Sequence, residues 1–261
     1  MNEQDAGNRV GPRAGEARPG EGLDRAGRVR FLLDVIHRSA LHHGLWFTEV
    51  RHQLGMGRAL EALEAAWSRS LAIQLQRLSR TLGFPLEQGL PRPLLEMEED
   101  ALDALVDGLC ANWLAGDGVW FQAVEFAHGM NDAKRCNDSV WAQFSPLEAW
   151  SIKRLLGLPE RPGLAGLKQA LAWRIYARIN VQSFEEEGPD RLVFRMEECR
   201  VQSARKRKGL PDYPCKSAGL VEYTYFARAI DERIVTECLG CPPDPHPEAW
   251  WCAWRFTLRE P

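Results

Sequence analysis

Five of the seven cysteines crowd the last quarter of this 261-residue chain, and two of them form a CxxC motif. The thiolates of Cys238 and Cys241 can occupy adjacent corners of a tetrahedral metal site. Cys199 and Cys215 are the candidates for the other two corners, because predicted strand ends and helix starts carry all four residues. These four cysteines therefore predict a zinc ion or an iron–sulfur cluster.

The same cysteines allow two other interpretations, because a second CxxC motif is absent. Cys215 begins a predicted helix, where the helix dipole lowers a thiol pKa and favours a nucleophilic thiolate. Such a nucleophile needs an activating base, and His246 or Glu198 is the nearest in the sequence. Cysteines also pack in protein cores as small hydrophobes. If a metal is bound, Cys252 and His246 are the reserve ligands.

A second candidate site lies between Trp113 and His128, where aromatic side chains alternate with ionisable ones. On a helix these residues share one face and could line a pocket for a small-molecule ligand. Asp117 or Glu125 would serve as a general base if burial raised its pKa. An aromatic stripe at helical spacing is also typical of a buried core. The predicted ligand-binding residues are Trp113, Asp117, Trp120, Phe121, Glu125 and His128.

Composition and charge favour a globular protein without a nucleic-acid or membrane partner. The formal net charge is −3, so no overall positive field attracts nucleic acid. The densest basic run, residues 205–208, is interpreted as a solvated helix face. No apolar run approaches the roughly 18 residues that span a bilayer, and residues 1–30 lack the apolar stretch of a signal peptide. We therefore expect a cytoplasmic protein.

The N-terminal third is predicted to be a disordered arm followed by a helical hairpin. Residues 1–22 mix Gly, Pro, Glu and Arg without periodicity and offer no apolar face. Residues 23–84 carry two amphipathic helical patterns that are separated, and then ended, by glycines. This hairpin either docks on the rest of the chain or meets another subunit, which would make the protein a homo-oligomer.

Residues 94–180 are predicted to form a helical domain. Its first helix runs to about residue 130 and is interrupted or strained at the glycines of residues 116–118. A second helix is expected to begin at Ser145, since Ser145, Pro146 and Glu148 match the N-cap, first-turn proline and capping-box positions. It ends near residue 157, and a third helix follows over residues 164–179.

The remaining residues, 181–261, are predicted to form a cysteine-rich α+β domain. The hydrophobic period changes there from 3.6 to 2, which indicates strands. The predicted order is strands 181–186 and 192–197, helices 201–208 and 216–230, then strands 233–237 and 250–258. This order predicts a small antiparallel sheet with helices on one face, and the fold class of the whole chain is α+β.

Three stretches resemble a known family: NWLAGDGVWFQAVE, WAQFSPLEAWSIKRLL, and a cysteine-bearing segment with CRVQSARKRKGLPDYPCKS, CLGCPPDPHPE and WCAWRF. Over residues 94–258 the chain resembles a prokaryotic family of unknown function labelled only "cytosolic protein". That family is distantly similar to L-2-amino-thiazoline-4-carboxylic acid hydrolases. Its C-terminal part is similar to 4-vinyl-reductase-type ligand-binding domains, α+β modules that bind small molecules and often carry cysteines. The resemblance implies a fold and a cysteine-bearing site, and the hairpin before it is expected to be particular to this branch.

Together these observations predict a small-molecule-binding protein with a cysteine-ligated metal in its C-terminal α+β domain, and they leave catalysis open. One alternative is a hydrolase that opens a small C–N or C–S heterocycle with a cysteine nucleophile. The other is an adaptor protein in which a structural zinc ion staples a small domain.

Overall fold

We describe residues 20–259 of the protein in a computed structural model. They belong to two compact units, of which one ends at Gln74 and the other begins at Leu75. The predicted arm, residues 1–22, lies outside the described residues except for its last three. Within residues 20–259, no helix is both long enough and apolar enough to cross a membrane.

The N-terminal unit is built from two long helices. α1 spans Arg25–Leu54, and α2 spans Met56–Leu82 and continues into the second unit. The Asp24 side chain caps α1 by accepting a hydrogen bond from the Gly27 N–H at 2.7 Å. Gly55 adopts a φ of 85° and separates the helices where the sequence predicted a break. Of all the residues in α1 and α2, Ala59 alone is buried.

The C-terminal unit contains a two-stranded ribbon, further helices and a four-stranded sheet. The ribbon pairs β1 (Leu86–Glu87) with β2 (Leu90–Pro91), and the short helix α3 (Arg92–Leu95) follows. The other helices are α4 (Glu99–His128), α5 (Met130–Leu155), α6 (Gly163–Ala172), α7 (Arg200–Arg207) and α8 (Lys216–Ile230), with a 3-10 turn at Ile175–Arg178. The strands of the sheet are β3 (Val181–Glu186), β4 (Arg191–Glu198), β5 (Ile234–Gly240) and β6 (Cys252–Leu258).

The sheet is antiparallel throughout, with the order β3-β4-β6-β5, so the last strand in sequence is a central one. α5 and α8 pack against each other, and α6 packs against α8, β4 and β6. The core between these helices and the sheet is centred on Phe194, Phe226, Trp254 and Phe256, which are all fully buried. The predicted α+β class, the antiparallel sheet and the positions of its strands are confirmed.

Two local predictions about helices are wrong. α4 runs without interruption past Gly116 and Gly118, because a cost of about 1 kcal/mol per glycine is too small to break a helix supported elsewhere. α5 begins at Met130, and Ser145 lies inside it as a buried residue rather than at a helix start. Glu148 forms no capping box, since its carboxylate accepts hydrogen bonds from Arg174 and from the Ile175 N–H.

Candidate ligand-binding cavity

A cavity of about 360 Å³ lies within the C-terminal unit, on the side where helices α4, α7 and α8 face the sheet. Its walls come from segments far apart in the sequence, beginning with α4 and ending with β6. Ligand-binding cavities in proteins range from about 300 to 1,000 Å³. The cavity is therefore large enough for a small organic molecule.

Stacked aromatic rings form much of the cavity wall. Tyr176 stacks on Trp141 with ring centroids 5.6 Å apart, and Tyr223 stacks on Trp254 at 4.8 Å. Gly219 makes the second stack possible, because a Cβ at this position of α8 would come within 2.5 Å of the Trp254 ring. These aromatic residues are supplied by α5, the 3-10 turn, α8 and β6, so the fold itself assembles the wall.

A buried ion cluster lies behind the aromatic wall. The guanidinium of Arg174 donates to Glu148 Oε2 at 2.8 Å and to Glu222 Oε1 at 2.6 Å. Burial alone would lower the pKa of Arg174, but the two carboxylates raise it, so Arg174 stays charged. Burial raises the pKa of Glu222, which lines the cavity, although Arg174 opposes this rise. One guanidinium therefore serves two buried carboxyl groups.

Asp117 reaches the cavity from α4 and makes no hydrogen bond or ion pair in the part of the chain described here. Burial raises the pKa of its carboxyl group. The neighbouring Gly118 also lines the cavity, and a Cβ there would meet no heavy atom within 4 Å. Gly118 therefore leaves open space at this part of the cavity wall.

Two buried N–H donors at the cavity have no hydrogen-bond partner among residues 20–259. They are the indole Nε1 of Trp254 and the side-chain Nδ2 of Asn180, and both residues line the cavity. Trp254 is fully buried in the central strand β6. Buried polar groups in folded proteins nearly always have partners, and leaving one unsatisfied costs about 1–3 kcal/mol.

Four cysteines line one part of the cavity: Cys199, Cys215, Cys241 and Cys252. The Cys241 thiol is in hydrogen-bonding contact with the thiols of Cys215 and Cys252, and these contacts together with burial raise its pKa. The Cys215 sulfur accepts a hydrogen bond from Gln202 Nε2 at 3.1 Å. Burial raises the pKa of Cys199 to about 12. Cys215, Cys241 and Cys252 therefore form a cluster of free thiols beside the cavity.

The structure places the predicted metal ligands only partly together. Cys215 and Cys241 are in contact, Cys199 lines the same cavity, and Cys238 is not among its lining residues. Cys252, predicted as a reserve ligand, is in the cluster instead. The other reserve, His246, packs its ring against the Trp250 and Trp251 rings. Within residues 20–259, no group of three or more His, Cys, Asp or Glu side chains has an arrangement that could hold a metal ion.

The six predicted ligand-binding residues divide between four environments. Asp117 and Phe121 line the cavity. Trp113 packs behind the wall, edge-on to Trp141 and to Tyr176. Glu125 accepts two hydrogen bonds of 2.9 Å from the Arg205 guanidinium, which lower its pKa. The other two, Trp120 and His128, are exposed to solvent.

The sequence analysis did not identify Glu222 and Trp254, which line the cavity, or Arg174, which bonds Glu222 behind the cavity wall. A usable signal existed for Glu222, a carboxylate between apolar and aromatic neighbours on the buried face of α8. No comparable signal existed for Arg174, because its two partners lie 26 and 48 residues away.

A comparison with family profiles finds a match to one whose description is "Family of unknown function (DUF6125)", over residues 21–97 and 95–258. The second segment agrees with the resemblance to a family of unknown function, and the similarity to hydrolases receives no support. The first segment corrects the expectation that the helical hairpin is particular to one branch, since the same family covers it.

Among solved structures, the chain is similar to the phenol-responsive sensory domain of the transcription activator PoxR, crystallised with phenol. The two share 14% sequence identity with a TM-score of 0.37, over 73% of this chain and 89% of that one. A comparison with curated proteins finds no match.

Proposed function

The chain belongs to the DUF6125 family, and we propose that its C-terminal unit binds a small organic molecule in the cavity described above. One observation carries this proposal: Trp254 and Asn180 line the cavity, and each has a buried side-chain N–H group without a protein partner within residues 20–259. A bound molecule with a hydrogen-bond acceptor would satisfy them, and the aromatic wall would bury its apolar part.

Two neighbouring glycines of α4 provide a matched test. A Gly118→Leu substitution would place a side chain into the cavity, whereas Gly116→Leu adds the same side chain at an exposed position that does not line it. Both substitutions gain similar helix propensity, so their effects on folding should be alike. The variants therefore differ mainly in the space left in the cavity.

The experiment is calorimetric titration of the full chain with a panel of small substituted benzenes. We expect at least one compound to bind the unmodified protein and the Gly116→Leu variant, and to lose binding in Gly118→Leu. The proposal fails if no compound binds, or if Gly118→Leu binds as tightly as Gly116→Leu. Thermal unfolding of both variants checks that each is folded.

The alternative of a hydrolase with a cysteine nucleophile is less well supported. A nucleophilic cysteine requires a lowered pKa, whereas burial raises the pKa values of Cys199 and Cys238, and thiol contacts raise that of Cys241. His246, the imidazole nearest in sequence to these thiols, bonds the Pro247 carbonyl through Nδ1 at 2.9 Å and packs against tryptophans.

We also propose the thiol cluster as a site for a thiophilic metal such as zinc, on the strength of the contacts that join Cys215, Cys241 and Cys252. As arranged within residues 20–259, these thiols do not form a group of three or more ligands around a common point. Metal binding would require them to lose their protons and turn inward, with Cys199 or Cys238 as the fourth ligand. An adaptor protein stapled by zinc would use the same residues.

Metal analysis of protein purified without oxygen tests this second proposal. We expect about one zinc per chain, lost when Cys215 or Cys241 is replaced by serine and kept in a Cys136→Ser control, since Cys136 is exposed on α5. Separate Cys199→Ser and Cys238→Ser variants then identify the fourth ligand. Metal-free protein, or zinc that survives the Cys241→Ser substitution, would contradict the proposal.

A further inference from the structure

The charges around the cavity do not balance on the side of the ion cluster. Glu148 and Glu222 are buried acidic groups beside Arg174, and Asp117 is a half-buried acidic group that lines the cavity. Arg174 bonds both glutamates, and Asp117 has no partner in the part of the chain described. With the carboxyl groups ionised, this side of the cavity therefore has two more negative charges than positive ones.

The basic residues that line the opposite side do not cancel this excess. Arg205 is buried and forms a two-point ion pair with Glu125, so its charge is already used. Lys208 bonds the side chain of Gln122 and is exposed, as are Arg200 and Arg207. Exposed charges are screened by water and salt over about 10 Å at moderate ionic strength, whereas buried ones are screened much less.

The aromatic wall already holds one cation. Aromatic rings present a negative face, which attracts a cation placed over it. Tyr176 and Tyr223 already have the guanidinium of Arg174 over their rings, with 5.5 Å and 5.6 Å to the centroids. The unpartnered N–H groups of Trp254 and Asn180 instead require a hydrogen-bond acceptor atom on the ligand.

We propose that the cavity selects a small arylalkylamine, with its ammonium group beside Asp117 and Glu222 and an oxygen acceptor near Trp254 and Asn180. This inference rests on the proposed ligand-binding function and names the chemical class of its ligand. Burial disfavours the charged forms of Asp117 and Glu222, and a bound cation would stabilise them. The ammonium group thus supplies the positive charge that the protein itself lacks there.

Three phenols of nearly equal size provide the test, because they share a ring and an oxygen and differ in the charge of the tail. Tyramine carries an ammonium group, 4-ethylphenol no charge, and 3-(4-hydroxyphenyl)propanoate a carboxylate. Each is titrated calorimetrically at neutral pH into the full chain, into Asp117→Asn and into Asp100→Asn. The last variant is the control, since it removes the same charge from an exposed position of the same helix.

We expect tyramine to bind at least about tenfold more tightly than 4-ethylphenol, and the propanoate most weakly. Asp117→Asn should remove most of the preference for tyramine, and Asp100→Asn should keep it. The inference is overturned if the neutral or anionic phenol binds as tightly as tyramine, or if Asp117→Asn keeps the preference. In either case the proposed ligand-binding function stands. If neither these phenols nor any compound of the wider panel binds, both the proposed function and this inference fail.

A second variant tests the other negative charge near the ligand, and thermal unfolding of both variants checks that each is folded. Glu222→Gln keeps the size of the side chain that lines the cavity and removes the other negative charge near the ligand. We expect it to weaken tyramine binding more than 4-ethylphenol binding. Equal weakening of both phenols by Asp117→Asn and by Glu222→Gln would indicate a general disturbance of the cavity and would contradict the charge selection.

Discussion

The two units of this chain use similar apolar patterns and reach opposite degrees of burial. In the N-terminal unit, α1 has no buried residue, and its apolar side chains Leu33, Ile36 and Leu45 are each more than half exposed. In the C-terminal unit, α8 buries seven of its 15 residues against α5, α6 and the sheet. Helical periodicity therefore predicts which face of a helix is apolar, and only a packing partner decides whether that face is buried.

The largest effect should come from breaking the ion cluster in the well-packed unit. Arg174→Met would leave Glu148 and Glu222 buried without a cation, and removing one partner of a buried ion pair costs about 3–5 kcal/mol. We expect a loss of this size in the free energy of unfolding, measured with urea. Arg178→Met is the matched control, because exposed ion pairs such as those of Arg178 contribute about 0–1 kcal/mol. Similar losses for both variants would contradict the central role of Arg174.

A second effect in the same unit depends on pH. Hydrogen bonds from Arg233 lower the pKa of the buried Asp231 to about 2, below its ordinary value of 3.8. A carboxyl group with a lowered pKa stabilises the fold above its unfolded value, and this stabilisation is lost as the pH falls from about 4 to 2. We expect Asp231→Asn to be less stable than the unmodified protein at neutral pH by on the order of 2 kcal/mol. The gap should close near pH 2, and a gap independent of pH would contradict the electrostatic origin.

Substitutions in the N-terminal unit should change the oligomeric state of the protein rather than its free energy of unfolding. The sequence leaves two roles open for the hairpin of residues 23–84, docking on the rest of the chain or meeting another subunit. In the second case, the exposed apolar side chains of α1 would be covered in a homo-oligomer. We expect sedimentation analysis to show an oligomer, and Leu33→Glu with Ile36→Glu to dissociate it. Because neither residue is buried in the single chain, the unfolding of the C-terminal unit should change by less than about 0.5 kcal/mol. A monomeric unmodified protein would contradict this prediction.

The smallest change in stability is expected for Asp117→Asn. Asp117 has no hydrogen bond to lose within the described residues, and burial disfavours its charge, so the variant should be as stable as the unmodified protein or slightly more stable. Thermal unfolding at neutral pH measures this. A strongly lowered melting temperature would indicate a structural role for the carboxyl group and would contradict its assignment to the cavity.

Much of the fold could be predicted because its signals are local. The change of hydrophobic period after Asn180 indicated both strands of the first hairpin, and the strand before Cys241 was recognised in the same way. Ser145 shows where local signals mislead. Its sequence matches a helix N-cap pattern, but the residue lies inside α5, and Glu148 accepts a hydrogen bond from Arg174 instead of closing a capping box. The cavity could be predicted only at α4, because its other walls come from α8 and β6, which meet α4 only in the folded chain.

The central position of β6 has a consequence for how the protein is made. β6 pairs with both β4 and β5. Each of these strands therefore has an edge without its hydrogen-bonding partner until residues 252–258 leave the ribosome. At about 5–20 residues per second, β4 waits roughly 3–12 s for its partner. An open strand edge can pair with another nascent chain during that time. Trp254 and Cys252 complete the cavity only at the end of this interval, so a ligand can stabilise the fold only after β6 has been made.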